Sequence, residues 1–153
     1  VIKPKVQTVT AILNKAMKSV HLHFPHLEVS LKVEPEAECV LADKDRMTQV
    51  FVNILENAAR YNDKEKPTCS VRSEKIDDSV VISFSDNGIG VSEKHLSKIF
   101  DSFYQVDMGS GRKVGGTGLG LSICRGIMAA HGGKIWAEQN PKGGTVFKIS
   151  LSL

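Results

Sequence analysis

Three stretches carry residue types that could do chemistry. Gly109–Gly120 reads Gly-Ser-Gly-Arg-Lys-Val-Gly-Gly-Thr-Gly-Leu-Gly and runs straight into an apolar, helix-like segment, Leu121–His131. So much glycine costs backbone entropy to order, which makes the run a poor core builder. It is suited to bringing bare main-chain N–H groups close to a guest, and a helix start adds partial positive charge aimed the same way. Phosphate is the natural guest, although taken alone a plain flexible loop fits the run equally well. Upstream, Gln49, Asn53, Asn57 and Arg60 recur at helical spacing. Asn57 offers a neutral oxygen of the kind Mg²⁺ accepts when phosphates and waters complete its shell. Arg60, one turn on, can reach phosphate oxygens; a solvated helix face explains the same pattern. Between the two lies Asp86-Asn-Gly-Ile-Gly90. An aspartate there, followed by glycines that permit close approach, can accept a hydrogen bond from an amino group such as adenine's, or simply make an Asx turn.

These residues need a scaffold. The chain has 153 residues, 41% hydrophobic and 24% charged, with a net charge of +3. That describes one globular domain with a real core, neither disordered nor membrane-spanning. No Lys/Arg block interleaved with aromatics occurs, so nucleic acid is not an expected partner, and no apolar run long enough for a bilayer suggests membrane contact. Cys39, Cys69 and Cys124 are far apart with no CxxC pair, which suits a reducing compartment and a cytoplasmic location. The absence of an initiator Met suggests a piece of something longer, and the full-length protein could be membrane-anchored.

Periodicity predicts an amphipathic helix over Val6–Ser19, with Val6, Val9, Ile12, Leu13 and Ala16 on one face. His21, His23 and His26 surround Pro25 in what reads as a solvated turn, no Cys or carboxylate nearby completing a metal site. Strands are expected at Leu27–Val33 and Cys39–Ala42, then a long helix capped by Asp43 or Asp45 and reaching about Tyr61. Thr68–Lys75 and Ser79–Ser85 form a hairpin around Asp77-Asp78, and a short helix follows Ser92. Phe100–Val114 has no period and reads as a functional lid. Thr117–His131 is a helix with Leu119, Ile123, Ile127 and Ala130 inward, stopped by Gly132-Gly133, with His131 a C-terminal cap contact. Strands at Ile135–Glu138 and Thr145–Leu151 flank the turn Asn140–Gly144. The sum is an α+β two-layer sandwich, a mixed and mainly antiparallel sheet with three main helices on one face.

Taken together and in order, Asn53-Ile-Leu-Glu-Asn57-Ala-Ala-Arg60-Tyr61, Asp86-Asn-Gly-Ile-Gly90, Phe100-Asp-Ser-Phe103-Tyr104 and Gly116-Thr-Gly-Leu-Gly120-Leu-Ser-Ile123 resemble a known set. They are similar to the N box, first G box, F box and second G box of the ATP-binding catalytic domain of sensor histidine kinases, within the gyrase, HSP90 and MutL-like ATPase superfamily. The resemblance covers essentially all of residues 1–153 as one such domain, with the Bergerat ATP-binding fold. It implies ATP and Mg²⁺ as ligands, a dimerisation and phosphoacceptor domain elsewhere in the protein, and a response regulator as partner.

The same resemblance implies roles. Asn57 would hold Mg²⁺ and, with Asn53 and Arg60, face the phosphates; Tyr61 would lie against the adenine. Asp86 would take the adenine amino group, with Gly88, Ile89 and Gly90 around the base and Thr145 near the pocket floor. Gly116, Thr117, Gly118, Leu119, Gly120 and Leu121 would wrap the phosphates. Phe100–Gly115 would be an ATP lid docked by Phe103 and Tyr104. Two departures matter. Gln105 stands where many relatives have Arg, leaving Arg112 or Lys113 to stabilise transferring charge; Arg112 is the candidate, a solvated charge the alternative. Asn53 stands where hydrolysing members place a Glu base, and an amide cannot take a proton from water. No His followed by an acid marks a phosphoacceptor helix. A hydrolase of the superfamily and a non-catalytic nucleotide-binding module are the rivals. A P-loop enzyme is excluded by the absence of GxxxxGK[ST].

Overall fold

The structure, a computed structural model, describes residues 1–104 and 120–152. The order is β1 (Lys5–Thr8), α1 (Val9–His23), β2 (Glu28–Val33), β3 (Cys39–Ala42), α2 (Lys44–Arg60), β4 (Thr68–Ile76), β5 (Ser79–Asp86), α3 (Gly120–Ala130), β6 (Lys134–Gln139) and β7 (Thr145–Ser152). Five strands make the main sheet in the order β2-β4-β5-β7-β6. Only β2 and β4 pair in parallel, because β3 and α2 intervene and bring the chain back in the same direction. The expected α+β class with three helices against one sheet face holds.

The start of the chain differs from expectation. Val6 fits the apolar spacing of a helix, yet it is 73% exposed and lies on β1, opposite Leu41 in an antiparallel pair with β3. The helix begins later because Thr8 caps it, its hydroxyl accepting the Ala11 N–H at 3.1 Å. It then runs on to His23, where Pro25 prevents further continuation. The segment after Ser92 is one 3-10 turn, Glu93–His95.

The α2 helix is the spine of the molecule. Asp43 caps it, accepting the Arg46 N–H at 3.2 Å, and also accepts the Lys3 N–H at 2.8 Å. Met47, Val50, Phe51, Ile54, Leu55 and Ala58 are buried, the face the spacing predicts. Phe51 meets Phe84 of β5 edge to face at 5.1 Å, joining the helical layer to the sheet. On β7, Phe147, Ile149 and Leu151 point to that core, as alternation requires.

The α3 helix has its phase displaced from the sequence reading. Cys124 and Met128 are its buried residues, whereas Ile123 is 42% exposed, Ala130 is exposed and Ile127 is half-buried. Its neighbours are α2 and β6, so the buried stripe points between them. Thr117 and Leu119, the expected first turn, lie outside the described residues. His131 does cap, and does more. Its Nδ1 lies 2.8 Å from the Ile127 carbonyl and its Nε2 accepts the Asp43 N–H at 3.0 Å, tying the end of α3 to the start of α2.

Phe51→Ala removes the ring that joins the two layers and is expected to cost about 3–5 kcal/mol. Urea unfolding at constant m-value is the check; a loss below 1 kcal/mol contradicts this account of the core.

Candidate functional site

The centre of the site is Asp86, the last residue of β5 and 6% exposed. Its Oδ1 accepts two main-chain hydrogen bonds, from Gly88 and from Thr145, each 3.0 Å. Among the described residues no cation pairs with it. Burial therefore dominates and raises the carboxyl above the usual range, while the two N–H groups pull the other way. Cys69, opposite Asp86 in the β4–β5 ladder, has its thiol pushed far up by burial first and by that carboxylate second.

Two glycines permit this packing. A Cβ on Gly144 would sit 2.1 Å from the Asp86 carbonyl oxygen and 2.7 Å from Oδ1, and one on Gly88 would sit 2.4 Å from the Tyr61 carbonyl oxygen. No side chain fits either place. Gly144 carries φ +94° as well, a conformation that favours glycine. Sequence reading placed Gly144 only in a turn; the pair Gly143-Gly144 directly before a strand was the available signal. Asn140 was also missed, and donates to the Asp86 carbonyl at 3.2 Å. Asn87 is a third omission. Its Oδ1 accepts from Thr68 N and Asn62 Nδ2 at 2.9 and 2.7 Å, and its Nδ2 donates to Lys66 O at 3.0 Å, anchoring the chain after α2.

The loop after Asp86 meets the end of α2 directly. Tyr61 is the C-cap of α2, and its carbonyl accepts the Ile89 N–H at 3.0 Å. Gly90, at φ +78°, packs on Gly144, so Gly88, Ile89 and Gly90 lie between Tyr61 and the start of β7. Thus Tyr61, Asp86, Gly88, Ile89, Gly90 and Thr145 are one cluster. A second contact lies about 12 Å further back along α2, eight residues at 1.5 Å each. There Asn53 donates from Nδ2 to the Gly120 carbonyl at 3.2 Å and lies 3.6 Å from Cys124 Sγ. That thiol, pushed up to about 12 by burial, is a neutral neighbour. Asn57 is half-buried one turn from Asn53 and one turn from Tyr61, between the two contacts. Leu121 packs against the core beside them.

Arg60 lies with its guanidinium over the Phe24 ring, 5.7 Å from the centroid. Tyr104 hydrogen-bonds to Nδ1 of His95, a residue sequence reading left without a role. Phe103 is 73% exposed with φ +66°. Arg125 of α3 reaches Asp101 at 3.4 Å, joining the segment before residue 104 to the one after 120. Arg112, Gly116, Thr117, Gly118 and Leu119, with Gln105 and Lys113, lie outside the described residues.

No group of three or more His, Cys, Asp or Glu that could hold a metal occurs among the described residues. His21 faces the Leu27 carbonyl, and His23 sits 3.7 Å from Glu56, a carboxylate that sequence reading did not foresee there. A Mg²⁺ ion taken at Asn57 would therefore draw most of its shell from a ligand and water, which fits its coordination habits. No helix among the described residues is long and apolar enough to cross a membrane.

Comparison with known proteins places this geometry. Residues 42–153 match the family described as histidine kinase-, DNA gyrase B-, and HSP90-like ATPase. The sensor protein kinase WalK of Staphylococcus haemolyticus is 44% identical over 110 residues, 71% of this chain and 18% of that protein. BaeS of Escherichia coli, a signal transduction histidine-protein kinase, is 39% identical over 119 residues, 78% of this chain and 25% of its own. The chain thus spans about a fifth to a quarter of these relatives. Among solved structures, the catalytic domain of the histidine kinase ThkA superposes with a TM-score of 0.81 at 27% identity, covering 99% of this chain and 96% of that one. The family match reaches from the last residue of β3 to the chain end and so includes every part of the Asp86 cluster; the chain belongs to the histidine kinase-, DNA gyrase B- and HSP90-like ATPase family.

Proposed function

We propose that the chain binds Mg-ATP against α2, the Asp86–Gly90 loop and the start of β7, and presents the γ-phosphate to a histidine on a dimerisation domain elsewhere in the protein. The observation that carries this reading is the buried Asp86 carboxylate, held on Oδ1 by Gly88 and Thr145 and paired with no cation among the described residues. Both bonds fall on one oxygen, so Oδ2 is the atom for a ligand's amino group. An adenine N6 amino group is a donor there and a guanine O6 is not, which gives base selectivity without a charged ligand group.

From that anchor the chain's residues divide the remaining work. Gly88, Ile89 and Gly90 leave room for the base beside Tyr61, and Thr145 holds the floor. Asn57 would offer its amide oxygen to Mg²⁺, whose charge would offset that of the phosphates. Arg60 adds a fixed cation, and the α3 start, set by Asn53 through Gly120, adds a partial positive charge. Gly116–Leu119 would complete the phosphate wrap, and Arg112 would stabilise the transferring group in place of the Arg missing at Gln105. Phosphoryl transfer asks little more of a protein than this positioning and neutralisation. A response regulator would receive the phosphoryl group in turn. The rival reading, ATP hydrolysis by this chain, is disfavoured by Asn53. Its amide donates to a carbonyl and offers no base for water.

The direct test is incubation of the isolated chain with γ-labelled ATP. Bound ATP without label on the chain is expected; self-labelling, or steady-state release of phosphate, contradicts the division of labour. A second test uses the buried carboxylate. Because burial raises Asp86 in the folded chain, its protonated form favours folding. That stability is present at acid pH and lost as pH rises through the raised folded value. Asp86→Asn is therefore expected to melt above the parent at pH 8, by a margin that shrinks toward pH 4, while losing ATP binding. A variant less stable than the parent at pH 8, or one with parental ATP affinity, sinks the assignment.

A further inference from the structure

Arg60 stands in the last turn of α2, four residues after Glu56. Glu followed by a cation at that spacing ordinarily pairs along the helix surface. No such pair forms among the described residues. Glu56 turns to His23, with 3.7 Å between its carboxylate and Nδ1, and Arg60 lies over the Phe24 ring. His23 and Phe24 are consecutive, the final residue of α1 and its C-cap. The Phe24 ring is partly buried against the core, so it presents a fixed surface, unlike a solvated side chain. A guanidinium over a ring face is attracted by the ring's π electrons and keeps N–H groups available to an anion. The ring attracts the charge without neutralising it.

We propose that Phe24 is a positioning residue for Arg60: its ring holds the guanidinium in place by a cation–π contact while His23 draws Glu56 aside, so that Arg60 meets the nucleotide phosphates without its helix neighbour's carboxylate. The inference rests on reading Arg60 as a phosphate contact. It makes the turn between α1 and β2 a support of the nucleotide site that acts through Arg60.

The test compares affinities for Mg-ATP and for adenosine, whose ratio isolates the phosphates. Arg60→Ala is expected to lower the ratio. Phe24→Leu should lower it about three-fold, with adenosine binding unchanged, and Phe24→Trp should preserve it. Phe24→Leu combined with Arg60→Ala should be no worse than Arg60→Ala alone. Should Phe24→Leu fail to fold, the His23 arm carries the test: His23→Ala lowers the ratio by freeing Glu56, and adding Glu56→Gln restores it. An unchanged ratio in Phe24→Leu beside a lowered one in Arg60→Ala overturns the proposal and spares the phosphate role. So does a Phe24→Leu loss repeated in full without Arg60, or failure of Glu56→Gln to restore. A parental ratio in Arg60→Ala removes the phosphate role, and this inference with it.

Discussion

The structure depends on one costly arrangement, a carboxylate at the end of a central strand with almost no access to water and, among the described residues, no cation paired with it. Asp86 is tolerable there because two main-chain N–H groups reach the same oxygen, and they reach it because Gly144 lets β7 come closer than any side chain permits. The two hydrogen bonds do not offset the whole cost, since burial still raises the carboxyl. A protein selected for stability alone would place an amide or an apolar residue at this point. Retaining a carboxylate with one oxygen unspent makes sense for recognising a donor.

The α2 helix converts that local feature into a site. One face, centred on Phe51, is welded to the sheet through Phe84. The adjoining face carries Asn53, Asn57 and Arg60, and the helix ends at Tyr61, whose carbonyl holds the loop that follows Asp86. On the proposed reading, the spacing from base to phosphates would be a helix length, which is rigid. The α2 helix is tied at two further points, its start by His131 through Asp43 and its middle by Asn53 through Gly120. Movement of α3 relative to α2 would have to break one of these contacts.

Much of this was legible in the sequence because local signals and tertiary demands agree there. Asp43 caps α2, the Thr68–Asp86 hairpin turns at Asp77-Asp78, and β7 alternates strictly. Where they compete, sequence reading failed. Val6 has helical spacing to Val9 but pairs with Leu41, since strand pairing with β3 and the Thr8 cap outweigh one apolar contact. The phase of α3 was misjudged because Ile123, Ile127 and Ala130 look more apolar than Cys124 and Met128, whereas the stripe is set by α2 and β6, which are remote in sequence. The site residues named from the motifs include six of the Asp86 cluster. Gly144 showed only as a turn glycine and Asn140 as a turn residue because their importance lies in what they approach, and Phe24 gave no signal because its partner lies on another helix.

The central claim is that the Asp86 pocket and the polar face of α2 receive one nucleotide together. Amide chemical shifts followed through titration with adenosine and then Mg-ATP test it most directly. The account predicts that adenosine moves the Gly88 and Thr145 amides, and that Mg-ATP additionally moves Gly120 and the Asn57 side-chain amide. Shifts confined elsewhere, for instance to the cleft between Lys32–Pro35 and Arg72–Glu74 further along β2 and β4, would contradict it.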